Sequence, residues 1–152
     1  MHLAELNIAY PKYPLDDARM ADFVDNLVRI NTMASKMPGF VWINKDESGH
    51  AFAQQTPWPG AAANLTVWES VEQLEHFVWN TVHKRFYNRK NEWFETMTAH
   101  HFVMWWVPEG HRPSLLEAKA KLDLLQAEGD SDEAFTWAHL PHVKLWQSQR
   151  CG

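Results

Sequence analysis

The sequence predicts an α+β fold, a four-stranded antiparallel sheet carrying helices, and three observations predict it. Short apolar runs of strand length alternate with longer stretches whose apolar residues recur every three or four positions. Clusters of Pro, Gly, Asp and Ser separate them. Their order is strand, helix, strand, strand, helix, strand, with one more helix behind.

The first strand is residues 3–8, apolar at Leu3, Leu6 and Ile8, and the Tyr10-Pro11 and Tyr13-Pro14 steps stop it. Asp16 or Asp17 then caps a helix whose stripe is Met20, Phe23, Val24, Leu27, Ile30, Met33 and Met37, closed by Pro38-Gly39. Residues 40–43 are continuously apolar, as a strand buried on both faces would be. A long loop over residues 44–62, with a brief hairpin arm at 51–54, leads to the third strand at 64–68. Ser70 and Gln73 form a capping box for a second helix that carries its apolar spacing as far as Trp93 and Phe94, with a break near Asn80-Thr81. The fourth strand is 102–107. Ser114 with Glu117 opens a further helix that Gly129 ends, Glu117 to Lys121 reads as a surface pair along it, and residues 134–137 read as an edge strand.

This βαββαβ order is the ferredoxin-like arrangement, with helices on one sheet face and an extra C-terminal helix. We expect one domain over residues 1–137 and a tail over 138–152. Strands apolar on both sides call for a cover over the second face, and the expected cover is the sheet of a second copy, giving a homodimer of the dimeric α/β-barrel type.

Composition narrows the function classes. The chain has 152 residues, 45% of them apolar and 22% charged, enough for a self-sufficient core. A net charge of -5 without a run of Lys and Arg argues against nucleic acid as a partner. The N-terminus carries no signal-like segment and no apolar stretch reaches membrane-span length, so a cytoplasmic location is expected. The lone Cys151 excludes an intrachain disulfide. Nine Trp against three Tyr and eight Phe point either to an aromatic-lined cavity or to a Trp-heavy core.

Candidate site residues come from the second helix and the strands. At the helical period, Arg85 and Arg89 share the side of Leu74, Val78 and Val82, where they either snorkel outward or hold a ligand's anionic group in the space between helix and sheet. His83 lies nearly opposite that stripe and reaches the space only through the expected break. The histidines form no HExxH, Pro141 argues against a helix that would pair His139 with His142, and GxGxxG, GxxxxGK[ST] and GxSxG are all missing, so no metal site, dinucleotide fold, P-loop or hydrolase elbow is expected. The carboxylates show no paired spacing.

Leu65-Thr66-Val67-Trp68-Glu69-Ser70, a helix with His83, Arg89 and Trp93-Phe94, then Trp105-Trp106-Val107 and Gly110-His111-Arg112-Pro113 resemble the family known as domain of unknown function 3291. That family is similar to the dimeric α/β-barrel superfamily, which holds monooxygenases of antibiotic biosynthesis that oxidise polycyclic phenols without a cofactor, and haem-degrading enzymes. The resemblance implies a monooxygenase-like protein acting on an aromatic or polycyclic small molecule between sheet and helices. His83 and Arg89 would be catalytic, and Asn7, Asn64, Trp68, Arg85, Trp93 and Trp105 would bind substrate. No cofactor is needed in that reading. A haem alternative takes His83 as iron ligand, with Asn7 and Trp68 in the places of the haem-degrading branch's Asn and Trp, since an amide can hydrogen-bond a bound gas and an indole can distort the macrocycle. A third reading is a non-catalytic metabolite-binding or structural dimer.

Overall fold

The computed structural model describes residues 1–45, 56–80 and 88–140. The hairpin arm at 51–54, His83, Arg85, Cys151 and the end of the tail lie outside the described residues.

Strand β1 (His2–Ala9) runs where Leu3, Leu6 and Ile8 alternate with other residues. Asp17 caps a 3-10 turn, Ala18–Met20, its carboxylate accepting from the Arg19 amide at 2.8 Å, and the turn passes directly into α1 (Ala21–Lys36). β2 (Phe40–Ile43) follows, then β3 (Ala62–Trp68), α2 (Val71–Asn80), a short helical turn α3 (Lys90–Trp93), β4 (Phe102–Val107) and α4 (Leu115–Glu128). The sheet order is β2-β3-β1-β4 and every neighbouring pair is antiparallel, so the ferredoxin-like α+β fold is present as an open four-stranded sheet.

Local chemistry accounts for the element ends. Ser70 Oγ accepts from the Gln73 amide at 3.3 Å, and Ser114 Oγ accepts from the Glu117 amide at 3.1 Å, so both serines cap their helices as expected, while the Glu117 carboxylate is engaged elsewhere. Gly129, φ 74°, closes α4. Gly39, φ 87°, turns the chain from α1 into β2, and a Cβ there would run into the side chain of Gln73. Gly39→Ala therefore combines a left-handed backbone with a clash, and we expect it to lower stability by at least about 1 kcal/mol, read as a lower urea midpoint at unchanged slope.

Two expectations change. β2 is an edge strand with an irregularity between Phe40 and Trp42, so it is half-buried, with Val41 exposed, and not covered on both faces. Residues 134–137 form no strand. Instead Met104 and Phe135 exchange both backbone hydrogen bonds at 2.9 Å, a single bridge along the outer border of β4, and Trp137–His139 is a 3-10 turn.

The largest departure concerns the second sheet face. Ala4, Leu6 and Ile8 of β1 share one face with Ala63, Leu65 and Val67 of β3 and Val103, Trp105 and Val107 of β4. Ala118, Leu122 and Leu125 of α4 pack on that face, all essentially inaccessible. Helices α1 and α2 cover the opposite face through Ile30, Ala34, Val71, Leu74 and Phe77. The molecule is thus three-layered, helix, sheet, helices. α4 thus supplies, from the same chain, the cover on this face that was expected from a second copy's sheet.

Candidate functional site

The cavity arises from unequal side chains on the face beneath α1 and α2. Large residues at each end hold the helices off the sheet. At one end Trp68 stacks on Phe77 with centroids 5.4 Å apart and meets Phe40 edge-on at 5.6 Å. At the other, Phe23 of α1 meets Trp93 at 5.4 Å and Phe94 at 5.0 Å. Between these supports the floor carries shorter polar residues from adjacent strands: Glu5 opposite Thr66 and Asn7 opposite Asn64. The result is a cavity of about 850 Å³, with Leu27, Ile30 and Asn31 of α1 and Leu74 and Val78 of α2 along its roof. A space this size lies within the range of small-molecule sites.

Glu5 is the chemical centre of the floor. Its Oε1 accepts from Asn7 Nδ2 at 2.8 Å and its Oε2 from Thr66 Oγ1 at 2.7 Å, while Trp68 Nε1 donates to Thr66 Oγ1 at 3.0 Å. Glu5 and Thr66 are each 5% exposed. Burial pushes the Glu5 carboxyl up to about 7, with the Asn7 and Thr66 hydrogen bonds pulling the other way. A carboxyl poised there exchanges a proton readily near neutral pH, which is the property a general acid or base requires. At the rim, burial pushes the pKa of His101 below its ordinary value.

The residues singled out in the sequence divide. Asn7, Asn64, Trp68 and Trp93 all line the cavity. Trp105 does not, because it points to the α4 face, where its Nε1 donates to Glu117 Oε2 at 2.9 Å. Glu117 Oε1 also meets His111 Nε2 at 2.7 Å, so this residue joins α4 to β4 and is not the surface partner of Lys121 expected for it. Arg89 stands at the surface between α3 and α1, donating from Nε to Glu92 Oε2 at 2.8 Å and from Nη2 to Asp22 Oδ2 at 3.2 Å, with its guanidinium 4.6 Å from the Trp93 ring centre. An anion-binding Arg between helix and sheet is thus not what Arg89 is. Sequence reasoning missed Glu5 and Thr66. The available signal was a Glu inside an apolar strand, sharing the alternation of Asn7.

The family model described as a domain of unknown function (DUF3291) matches residues 2–151. The chain belongs to this family. No curated protein matches it. Among solved structures, a candidate antibiotic biosynthesis monooxygenase from Chloroflexus aurantiacus J-10-fl is similar to this DUF3291 chain with 18% identity, covering 74% of this chain and 98% of its own, at a TM-score of 0.46.

For this DUF3291 chain, the haem reading takes His83 as ligand, outside the described residues. Of its other two residues, Asn7 donates an amide hydrogen to Glu5 and Trp68 donates its N–H to Thr66, so both belong to the hydrogen-bonded floor around the carboxyl. Among the described residues no group of three or more His, Cys, Asp and Glu side chains is placed to hold a metal ion, and no helix is long and apolar enough to cross a membrane.

Proposed function

We propose that this chain binds an aromatic or polycyclic small molecule in the cavity and acts on it as a cofactor-free, monooxygenase-like enzyme, with Glu5 as the proton acceptor. The observation that carries this reading is the Glu5 carboxyl, buried in the cavity floor and titrating near neutrality. Phe23, Trp68, Phe77 and Trp93 offer flat apolar surface to a ring system, and Asn7 and Asn64 border the carboxyl. Trp105 and Arg89 take no part.

The chemistry balances without an outside reductant. Glu5 takes the proton of a phenolic hydroxyl, and the electron-rich phenolate reacts with dioxygen against the largely apolar walls of the cavity. A phenol with a free ring position and one dioxygen give a quinone and one water, one oxygen atom entering the ring and the other leaving as water. The cavity is built within one chain, so the reading holds whether the protein is a monomer or a dimer.

The test is a panel of hydroxylated polycyclic aromatics, followed by melting shifts and by oxygen uptake. A true ligand at one hundred times its Kd stabilises by about 2.7 kcal/mol. We expect oxygen uptake with at least one such compound, and a loss of about 10²-fold or more in Glu5→Gln. Melting shifts without oxygen uptake would reduce the protein to a non-catalytic binder. Absence of both signals across the whole panel would overturn the reading.

A further inference from the structure

The floor of the cavity contains a directed series of hydrogen bonds. Trp68 Nε1 can only donate, and it donates to Thr66 Oγ1. The Thr66 hydroxyl has one proton, and Glu5 Oε2 receives it. Asn7 Nδ2 supplies the other oxygen, Oε1. Each Glu5 oxygen thus has one lone pair committed to the sheet and keeps another.

We propose that Trp68 and Thr66 form a positioning relay, in which the indole N–H orients the threonine hydroxyl and the hydroxyl in turn fixes the carboxyl of Glu5 so that its free lone pairs serve the cavity. This rests on the reading of Glu5 as proton acceptor. It gives Trp68 a task besides its ring surface: its N–H steadies the group that exchanges the proton, without touching the bound molecule through that atom. Trp68 is 1% exposed and clamped between Phe77 and Phe40, so the indole cannot easily turn its N–H elsewhere.

Among the described residues, the titratable groups along the cavity wall besides Glu5 are Lys90 on α3 and Glu95, His100 and His101 in the segment behind it, while α1 and α2 present Asn31 and apolar or indole side chains. Burial and the hydrogen bonds from Asn7 and Thr66 act on the Glu5 proton, so a change at Trp68 reaches it through Thr66.

The test needs no ligand. In the full chain labelled with ¹⁵N, the indole N–H resonance of Trp68 is followed from pH 5 to 9, and the side-chain carboxyl of Glu5 is followed by ¹³C. We expect the Trp68 resonance to move with the Glu5 midpoint, about 7, and to stay flat in Glu5→Gln. Thr66→Val should raise the Glu5 midpoint by about one unit, as loss of one hydrogen bond to a carboxylate does, Trp68→Phe should raise it by less, and Thr66→Ser should restore it. A Trp68 resonance that stays put while Glu5 titrates near 7 overturns the relay and leaves the proton-acceptor reading standing. Absence of any Glu5 transition in this range overturns both.

Discussion

Glu5→Gln should make the protein more stable at pH 8 than the natural chain while removing its proton chemistry. The sign follows from the direction of the shift. An unfolded Glu titrates near 4.5, whereas Glu5 in the fold titrates near 7. Below about 4.5 both states hold the proton, and Glu5 contributes no pH dependence. Between these values the folded state alone keeps it, so stability falls as pH rises through the interval, and above about 7 the full penalty of a buried charge is present. At about 1.4 kcal/mol per unit, that penalty is about 3 kcal/mol. The amide needs no ionisation, and rotation of the Asn7 amide lets it keep a hydrogen bond. Urea unfolding of both proteins at pH 4.5 and pH 8 isolates the effect, because every other titrating group is shared. The advantage of Glu5→Gln should grow by about 3 kcal/mol between the two, and an advantage that does not change with pH would mean that Glu5 is not a raised carboxyl. A residue kept against its own contribution to stability is the pattern expected of a functional group.

Leu122→Ala should cost about 2–5 kcal/mol, the range for a fully buried leucine truncated in a core. Leu122 is 2% exposed and packs on the sheet face that Leu6 and Val103 share. On the same helix Leu116 is 72% exposed, and Leu116→Ala should change stability by no more than about 0.5 kcal/mol. The pair asks what covers this face in solution. If a second copy's sheet lay there and α4 swung aside, Leu122 and Leu116 would respond alike. A large cost at Leu122 alone says that α4 belongs to the core.

The elements were legible in the sequence because each has a local cause. Ser70 with Gln73, Ser114 with Glu117, and Gly39 and Gly129 at helix ends act within one turn of chain, and the stripe from Phe23 through Ile30 needs only the helical period. Which layer lies on which face was not legible. Alternation shows that Val103 and Trp105 share a face, but the identity of their cover depends on where the chain goes after Pro113, and an apolar strand face reads the same under a helix of its own chain as under another subunit. The site divides in the same way. Asn7, Asn64, Trp68 and Trp93 could be named from residue type and place. Glu5 becomes important only when the β1–β3 register sets it opposite Thr66 beneath two helices, and that register is a long-range fact. Of the two places left open for Arg89, the outward one is occupied: it stands at the start of α3 facing Asp22, and a contact between distant segments of the chain decides that.

The Met104–Phe135 bridge sets where strands could be added from outside. The backbone N–H and C=O of Met104, in the middle of the outer border of β4, already have partners there, so an incoming strand could not pair along it without displacing Phe135. The opposite border belongs to β2, four residues long and irregular at Val41. For strand addition, that border is a template too short and too uneven to hold a long in-register partner.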